Sequence, residues 1–218
     1  MRGRFVPKTF LTVFAVFLSA ASMNAASFSF EGNFSLDDDL QVFWLTVGVP
    51  STVTIRTLSY GGGTNAAGNT IVSGGFDPIL NVFQGLSDPN GLQIAANNDG
   101  TCPPNTIDPI TNACWDSLLE LALAPGQYTL VLSQSDNSAF GPFLGDGFSR
   151  TGQGNFTGPA FLGGPGSFID LNSVQRTNRW AVDILDVASA TAVPEPASML
   201  LILSGIIVLV RAARRPSV

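Results

Sequence analysis

The sequence predicts an all-β fold, an antiparallel β-sandwich of the jelly-roll-like kind, over residues 27–191. Short segments of this span alternate between apolar and polar residues, most strictly over 52–60. Turn signals separate the segments, among them Asn97-Asn98-Asp99-Gly100 and Pro125-Gly126. The span contains no capped amphipathic helix, and about eight strands with two-faced alternation are typical of two packed sheets.

The predicted strands share alternating or continuous apolar residues. In chain order they cover 28–34, 42–47, 52–60, 79–83, 92–96, 118–123, 127–133 and 180–185. Two insertions separate some of them, a Gly/Asn/Ala-rich one at 61–75 and a Gly/Phe-rich one at 135–173. The regular phenylalanines of the second insertion predict a coiled cover over one sheet face, with a ligand-binding loop as the alternative.

The charge of the chain is strongly uneven. All 16 acidic residues lie between Glu31 and Glu195, where the basic residues are four arginines, so this span carries a net charge of −12. It contains no lysine, and the whole chain has no histidine. Nucleic-acid binding is disfavoured, because phosphate contacts require clustered Lys and Arg. An acidic surface of this kind suits an exported protein.

The first 26 residues predict a secretory signal peptide, to be handled by the Sec translocon and signal peptidase. A basic start with Arg2, Arg4 and Lys8 precedes an apolar run at 10–17 and a small-residue segment at 19–26. Cleavage is expected after Ala25 or Ala26. An uncleaved N-terminal anchor is the alternative.

The C-terminal segment, 192–218, has three parts. In order they are Pro194-Glu195-Pro196, an apolar run over 197–210 and a basic cluster of Arg211, Arg214 and Arg215. The run predicts a single transmembrane helix at about 197–213, with the arginines extending it by snorkelling and staying on the cytoplasmic side. The ectodomain is therefore expected outside the inner membrane.

This tail resembles the PEP-CTERM sorting signal of Gram-negative bacteria. The resemblance implies that an exosortase, a membrane-embedded cysteine transpeptidase, recognises the tail and cuts near Pro194-Glu195-Pro196, much as a hydrophobic tail is removed at a GPI signal. It implies a membrane-anchored intermediate in the periplasm, and then release to the cell surface or to the exopolysaccharide of the extracellular matrix. A plain single-span anchor is the alternative.

Four motifs between 37 and 134 resemble the bacterial pre-peptidase C-terminal (PPC) type of β-sandwich. They are Asp77-Pro78-Ile79-Leu80, Asn97-Asn98-Asp99-Gly100, Asp116-Ser117-Leu118-Leu119 and Pro125-Gly126-Gln127-Tyr128. The pattern departs after Gln134, where the Gly/Phe-rich insertion begins. The resemblance implies an accessory domain that accompanies secreted enzymes and binds surfaces without catalysing a reaction.

The two cysteines, Cys102 and Cys114, are expected to form a disulfide, since export places them in an oxidising compartment. A metal site at the two thiols is disfavoured by the lack of histidine. A catalytic cysteine is disfavoured because no general base accompanies it.

Catalytic patterns are missing from the sequence. A Ser-His-Asp triad needs a histidine, and Asp116-Ser117 is followed by leucine where an aspartic protease has glycine. The sequence leaves open whether two of its many aspartates form a glycosidase-type pair of carboxylates. We therefore expect a non-catalytic protein associated with the envelope or exopolysaccharide. The alternative is an extracellular carbohydrate-binding or carbohydrate-active module that uses the Phe-rich loop and aspartates.

The acidic charge also predicts that the ectodomain binds calcium, because aspartates in turns supply the oxygen ligands that Ca²⁺ prefers. The candidate ligands are Asp37, Asp39, Asp77, Asp99 and Asp116. The alternative is that these aspartates build Asx-turns and solvate loops.

Overall fold

A computed structural model describes residues 25–194 of the chain, and these residues form an all-β fold in which every strand pair is antiparallel. The described strands are β1 (Ala26–Asn33), β2 (Gln41–Val47), β3 (Ser51–Thr57), β4 (Gly63–Thr64), β5 (Thr70–Ile71), β6 (Pro78–Gln84), β7 (Gln93–Asn97), β8 (Leu118–Leu123), β9 (Gly126–Gln134), β10 (Arg179–Val187) and β11 (Ser189–Val193).

Two sheets carry the fold. One has four strands in the order β1-β10-β3-β8, and the other has five in the order β11-β2-β9-β6-β7, while β4 and β5 form a separate hairpin. Most consecutive strands lie in opposite sheets, so the chain crosses repeatedly between the two layers. The packed sheets make a β-sandwich.

The core lies between the sheets and follows from the alternation of the strands. In β2, for example, Phe43, Leu45 and Val47 are buried on the inner face. The ring of Trp180 in β10 meets that of Phe43 edge-on at a centroid distance of 5.9 Å. Only glycine fits at position 32 of β1, because a Cβ there would lie 2.3 Å from Cζ2 of Trp180.

The outer face of the four-stranded sheet is covered by the first insertion. Asp183 of β10 points outward, yet its side chain is fully buried. Its carboxylate accepts hydrogen bonds from Arg56, from the Ser29 hydroxyl and from the backbone N–H of Ala66. The 61–75 loop is thus fastened to the sheet through one buried carboxylate.

The second insertion covers part of the outer face of the five-stranded sheet, as the spacing of its phenylalanines predicts. Phe148 packs on Phe83 of β6, with ring centroids 6.5 Å apart, and on Val131 of β9. Further along the insertion, Phe168 enters the main core. Phe140, by contrast, is 77% exposed.

All eight strands predicted from the sequence are present, with small shifts at their ends, and the predicted Cys102–Cys114 disulfide is confirmed, with the two Cα atoms 5.8 Å apart. The β4–β5 hairpin and β11 were missed. Strand β11 extends the sandwich to Val193, two residues beyond the predicted boundary. The predicted signal helix and transmembrane helix lie outside the described residues. Among residues 25–194, no helix has the length and apolar character needed to span a bilayer.

Candidate functional site

Several strand termini meet at one end of the sandwich and bring acidic side chains together there. Asp77 directly precedes β6, Asp99 lies in the turn after β7, and Asp116 lies two residues before β8. The Ser117 hydroxyl lies 2.8 Å from both the Pro78 and the Asn97 carbonyl oxygens, which ties these termini to one another. We call Asp77, Asp99, Asp116 and Asp170, with the adjoining Asp108–Arg176 pair, the acidic end.

Asp116 anchors the loop that follows β3. Its buried carboxylate accepts hydrogen bonds from the Thr57 hydroxyl at 2.8 Å and from the backbone N–H groups of Tyr60 at 3.0 Å and Gly61 at 2.7 Å. Burial raises the pKa of Asp116, and these three donors oppose that rise. The side chain therefore serves the fold, with its oxygens already engaged by protein donors.

Asp77 is a carboxyl group of the acidic end that the fold compensates only in part. It is 1% exposed, and its Oδ1 atom has no hydrogen-bond partner among residues 25–194. Burial raises the pKa of Asp77 well above its ordinary value, and the negative charges of Asp99, Asp116 and Asp170 raise it further, while a hydrogen bond with the Ser135 side chain opposes part of the rise. Such a carboxyl group is stable when it holds a proton or when a cation approaches it.

Asp99 is the acidic residue whose charge acts most strongly on Asp77. It lies in an exposed turn, where partial desolvation by neighbouring protein atoms raises its pKa. The structure therefore brings three of the five predicted calcium ligands to one end of the sandwich: Asp77, Asp99 and Asp116. Within residues 25–194, however, no three acidic, cysteine or histidine side chains converge closely enough to hold a metal ion by themselves. Any cation here would need additional oxygens from the backbone or from solvent.

The other two predicted ligands have structural partners. The Asp37 carboxylate accepts hydrogen bonds from the hydroxyl and backbone N–H of Thr157 and from the N–H of Phe168, which fastens the second insertion to the β1–β2 loop. The Asp39 carboxylate accepts from the N–H groups of Ser35 and Leu36. For these two aspartates the structure shows the loop-building role that was the alternative to calcium.

A buried ion pair that sequence reasoning missed lies beside the acidic end. The Arg176 guanidinium donates to both carboxylate oxygens of Asp108, at 3.0 and 3.2 Å, and also to the backbone oxygens of Tyr60 and Gly75. It lies 3.9 Å from the centroid of the Tyr60 ring. The shortage of basic residues was the available signal, because in so acidic a span most arginines have a carboxylate nearby; Arg56, Arg150 and Arg176 each form an ion pair with an aspartate.

Burial and the ion pair together shift the pKa values of Asp108 and Tyr60. Burial by itself would raise the pKa of Asp108, but the hydrogen bonds from Arg176 and Thr111 and the Arg176 charge outweigh it and lower that pKa. Burial raises the pKa of Tyr60, whose hydroxyl donates to Asp170 at 2.8 Å. Asp108 belongs to the loop closed by Cys102 and Cys114, so the disulfide stabilises the segment that holds Arg176.

The chemistry of this end is that of a structural polar network in which one carboxyl oxygen, Oδ1 of Asp77, has no hydrogen-bond partner among the described residues. Of the predicted sorting residues, Pro194 directly follows β11, while Glu195, Pro196, Arg211, Arg214 and Arg215 lie outside the described residues. No model of a known protein family matches the chain, and no curated protein matches it either.

Proposed function

We propose that this chain is an exported, non-catalytic β-sandwich protein of the cell envelope or exopolysaccharide, sorted and processed through a PEP-CTERM-type tail. One observation carries the proposal. Strand β11 pairs with β2 along its whole length and ends at Val193, and Pro194-Glu195-Pro196 follows at once. The tripeptide thus follows directly on the last strand that the structure describes, so a cut there would leave every described strand in the released part.

Two further features support export and a role without catalysis. The Cys102–Cys114 disulfide suits an oxidising compartment outside the cytoplasm. The buried carboxyl groups Asp37, Asp108 and Asp116 are engaged by donors of the fold, as expected of a binding or structural domain. The crossing of the chain between sheets supports the jelly-roll-like, PPC-like sandwich that the motifs imply. Its partners in this proposal are the Sec translocon, signal peptidase, the inner membrane and an exosortase.

Processing is tested by mass spectrometry of the protein recovered from the cell surface and medium of its native Gram-negative host. The expected mature chain begins after Ala25 or Ala26 and lacks every peptide that follows Glu195. A variant with Pro194, Glu195 and Pro196 all replaced by alanine should stay uncleaved in the membrane fraction. Recovery of an intact 211–218 end from the released pool would contradict sorting and favour a plain anchor.

A second candidate function is an extracellular carbohydrate-binding module. Phe140 favours it, because this ring in the second insertion is 77% exposed and aromatic rings are common platforms for apolar faces of ligands. Binding and sorting are compatible, since an exported protein held in a polysaccharide matrix can use both.

A further inference from the structure

The long connections between the described strands of the two sheets meet at one end of the sandwich, which we call the loop end. They cover 34–40, 58–77, 98–117 and 135–178, and they include the acidic end. The turns over 48–50, 85–92 and 124–125 join strands at the opposite end. The two ends of the sandwich therefore present different surfaces.

Strand β11 runs towards the loop end. Ser189 pairs with Thr46 near the end of β2, and Val193 pairs with Val42 near its start. Since β2 begins at the loop end, the chain leaves the last described strand there. The apolar run of the tail starts at residue 197, and an extended chain covers the three residues from Pro194 in at most about 11 Å. A bilayer that takes up this run thus lies close to the loop end.

The loop end exposes large aliphatic side chains. Those between 42% and 65% exposed are Leu36, Ile107, Ile110, Leu162 and Leu171. They belong to three of the four long connections. Single exposed apolar residues are ordinary, but a group of them at the end that carries an apolar tail indicates an interaction surface.

Hydrogen bonds hold two of these connections side by side. The Tyr60 hydroxyl lies 2.9 Å from Thr111 Oγ1 and donates to Asp170 Oδ2 at 2.8 Å. Ile110 precedes Thr111 and Leu171 follows Asp170, so these two aliphatic residues lie near each other on the loop end. Their segments are fixed to the fold and do not need to be ordered on binding.

We propose that the loop end rests on the surface of a zwitterionic lipid bilayer while the tail anchors the chain. The headgroup region is roughly 5–7 Å thick on each side, so aliphatic side chains at an end tethered within about 11 Å can reach it. The net charge of −12 and the exposed carboxylates of Asp99 and Asp136 disfavour an anionic surface, which makes the contact an apolar one.

The tether allows this contact to be weak, because it keeps the loop end at a high effective concentration beside the lipid. The inference rests on the membrane-anchored intermediate of the proposed function and deepens it. It implies that Pro194-Glu195-Pro196 is held at the membrane surface, within reach of a membrane-embedded transpeptidase.

The test is tryptophan fluorescence of the full-length protein in phosphatidylcholine vesicles, with and without bromine atoms on the acyl chains near the headgroups, since bromine quenches indole only at close range. The Trp115 ring lies at the loop end, 5.2 Å from that of Tyr60. Trp44 Nε1 donates to Ser87, in a turn at the opposite end. Brominated lipid should quench the fluorescence, Trp115→Phe should abolish that quenching, and Trp44→Phe should keep it.

The double variant Ile110→Ser and Leu171→Ser should reduce the quenching by at least half. Its matched control is Val49→Ser with Leu92→Ser, two exposed residues in turns at the opposite end, which should leave the quenching unchanged. Adding anionic phosphatidylglycerol should weaken the quenching.

The inference is overturned if Trp44 is quenched as strongly as Trp115, if the loop-end variant keeps full quenching, or if anionic lipid strengthens it. Flotation of the same vesicles reports anchoring separately. Protein that floats without quenching of Trp115 overturns this inference and leaves the anchored intermediate standing. Protein that does not float contradicts the anchored intermediate and this inference with it.

Discussion

At the scale of single residues, the buried guanidinium of Arg176 determines how one end of the sandwich holds together. Its side chain and that of Asp108 are 1% and 0% exposed, and its donors also satisfy two backbone carbonyl groups. The Arg176–Asp108 ion pair need not stabilise the folded state on balance, because removing two charges from water costs free energy that their attraction must offset. Removing one partner, however, leaves a buried charge alone.

We therefore expect Arg176→Met to lower the free energy of unfolding by about 3–5 kcal/mol. Arg150→Met is the matched control, since its pair with Asp136 is 31% and 44% exposed and such pairs contribute about 1 kcal/mol or less. Urea denaturation of both variants under the same conditions measures the difference. Equal losses would show that Asp108 finds another partner or is exposed in solution.

Asp77 presents the opposite case, a buried carboxyl group that forms no ion pair with any arginine of residues 25–194. Its pKa is raised in the folded state, so the unfolded state ionises first as the pH rises above about 4. From there the folded state holds more protons than the unfolded state, and stability falls with rising pH until the folded carboxyl group also ionises.

Asp77→Asn removes this penalty, so we expect the variant to melt above wild type at neutral pH in the presence of chelator. The gap should shrink as the pH is lowered towards about 4, because the carboxyl group of the unfolded state then takes up its proton too and the difference in bound protons between the two states disappears. Thermal melts from pH 4 to pH 8 would show it. Curves that stay parallel over this range would contradict a raised pKa at Asp77.

At the scale of elements, the second insertion is a covering layer fastened at a few points. Thr157 and Phe168 bind the Asp37 carboxylate through hydrogen bonds, while Phe148 is buried against β6 and β9. The insertion is thus ordered by packing at selected phenylalanines, although its glycines and polar residues would otherwise favour a flexible coil.

We expect Phe148→Ala to cost about 3 kcal/mol of unfolding free energy, because it empties the contact between the insertion and the five-stranded sheet. Phe140→Ala is the matched control and should change stability by at most about 0.5 kcal/mol, since that ring is 77% exposed. Denaturant melts report both values. A large loss in Phe140→Ala would reveal a packing role that its exposure does not suggest.

At the scale of the whole molecule, alternation of apolar residues was sufficient to predict the sandwich and its eight long strands. Strand β11 was missed because Ser189–Val193 is built of small residues, and its pairing with β2 is set by tertiary contact rather than by propensity.

The candidate site was predicted only in part. Asp77, Asp99 and Asp116, which were predicted only as calcium ligands in turns, lie at the same end of the sandwich, whereas Asp37 was assigned to calcium and anchors the insertion. Sequence spacing does not show which distant backbone N–H group a carboxylate will meet, and for the same reason Arg176 and Asp108 were not paired in advance.

Calcium binding stays a prediction for the whole ectodomain, and Asp77 and Asp99 are the two candidate ligands that we would test first. The net charge of −12 weakens the compact state by self-repulsion, and Asp77 carries an unpaired buried oxygen. A site with a dissociation constant of ~10⁻⁴–10⁻³ M would stabilise the fold by ~2.7 kcal/mol at a calcium concentration one hundred times that constant, which raises the melting temperature by several degrees.

Thermal melts in chelator, in CaCl₂ and in MgCl₂ at matched ionic strength measure the effect. Asp77→Asn should abolish the calcium-specific rise, while Asp88→Asn, the same substitution in an exposed turn, should keep it. Identical melting temperatures in calcium and magnesium would show that the two salts act only by screening charge. The aspartates would then serve to form turns and not to bind calcium.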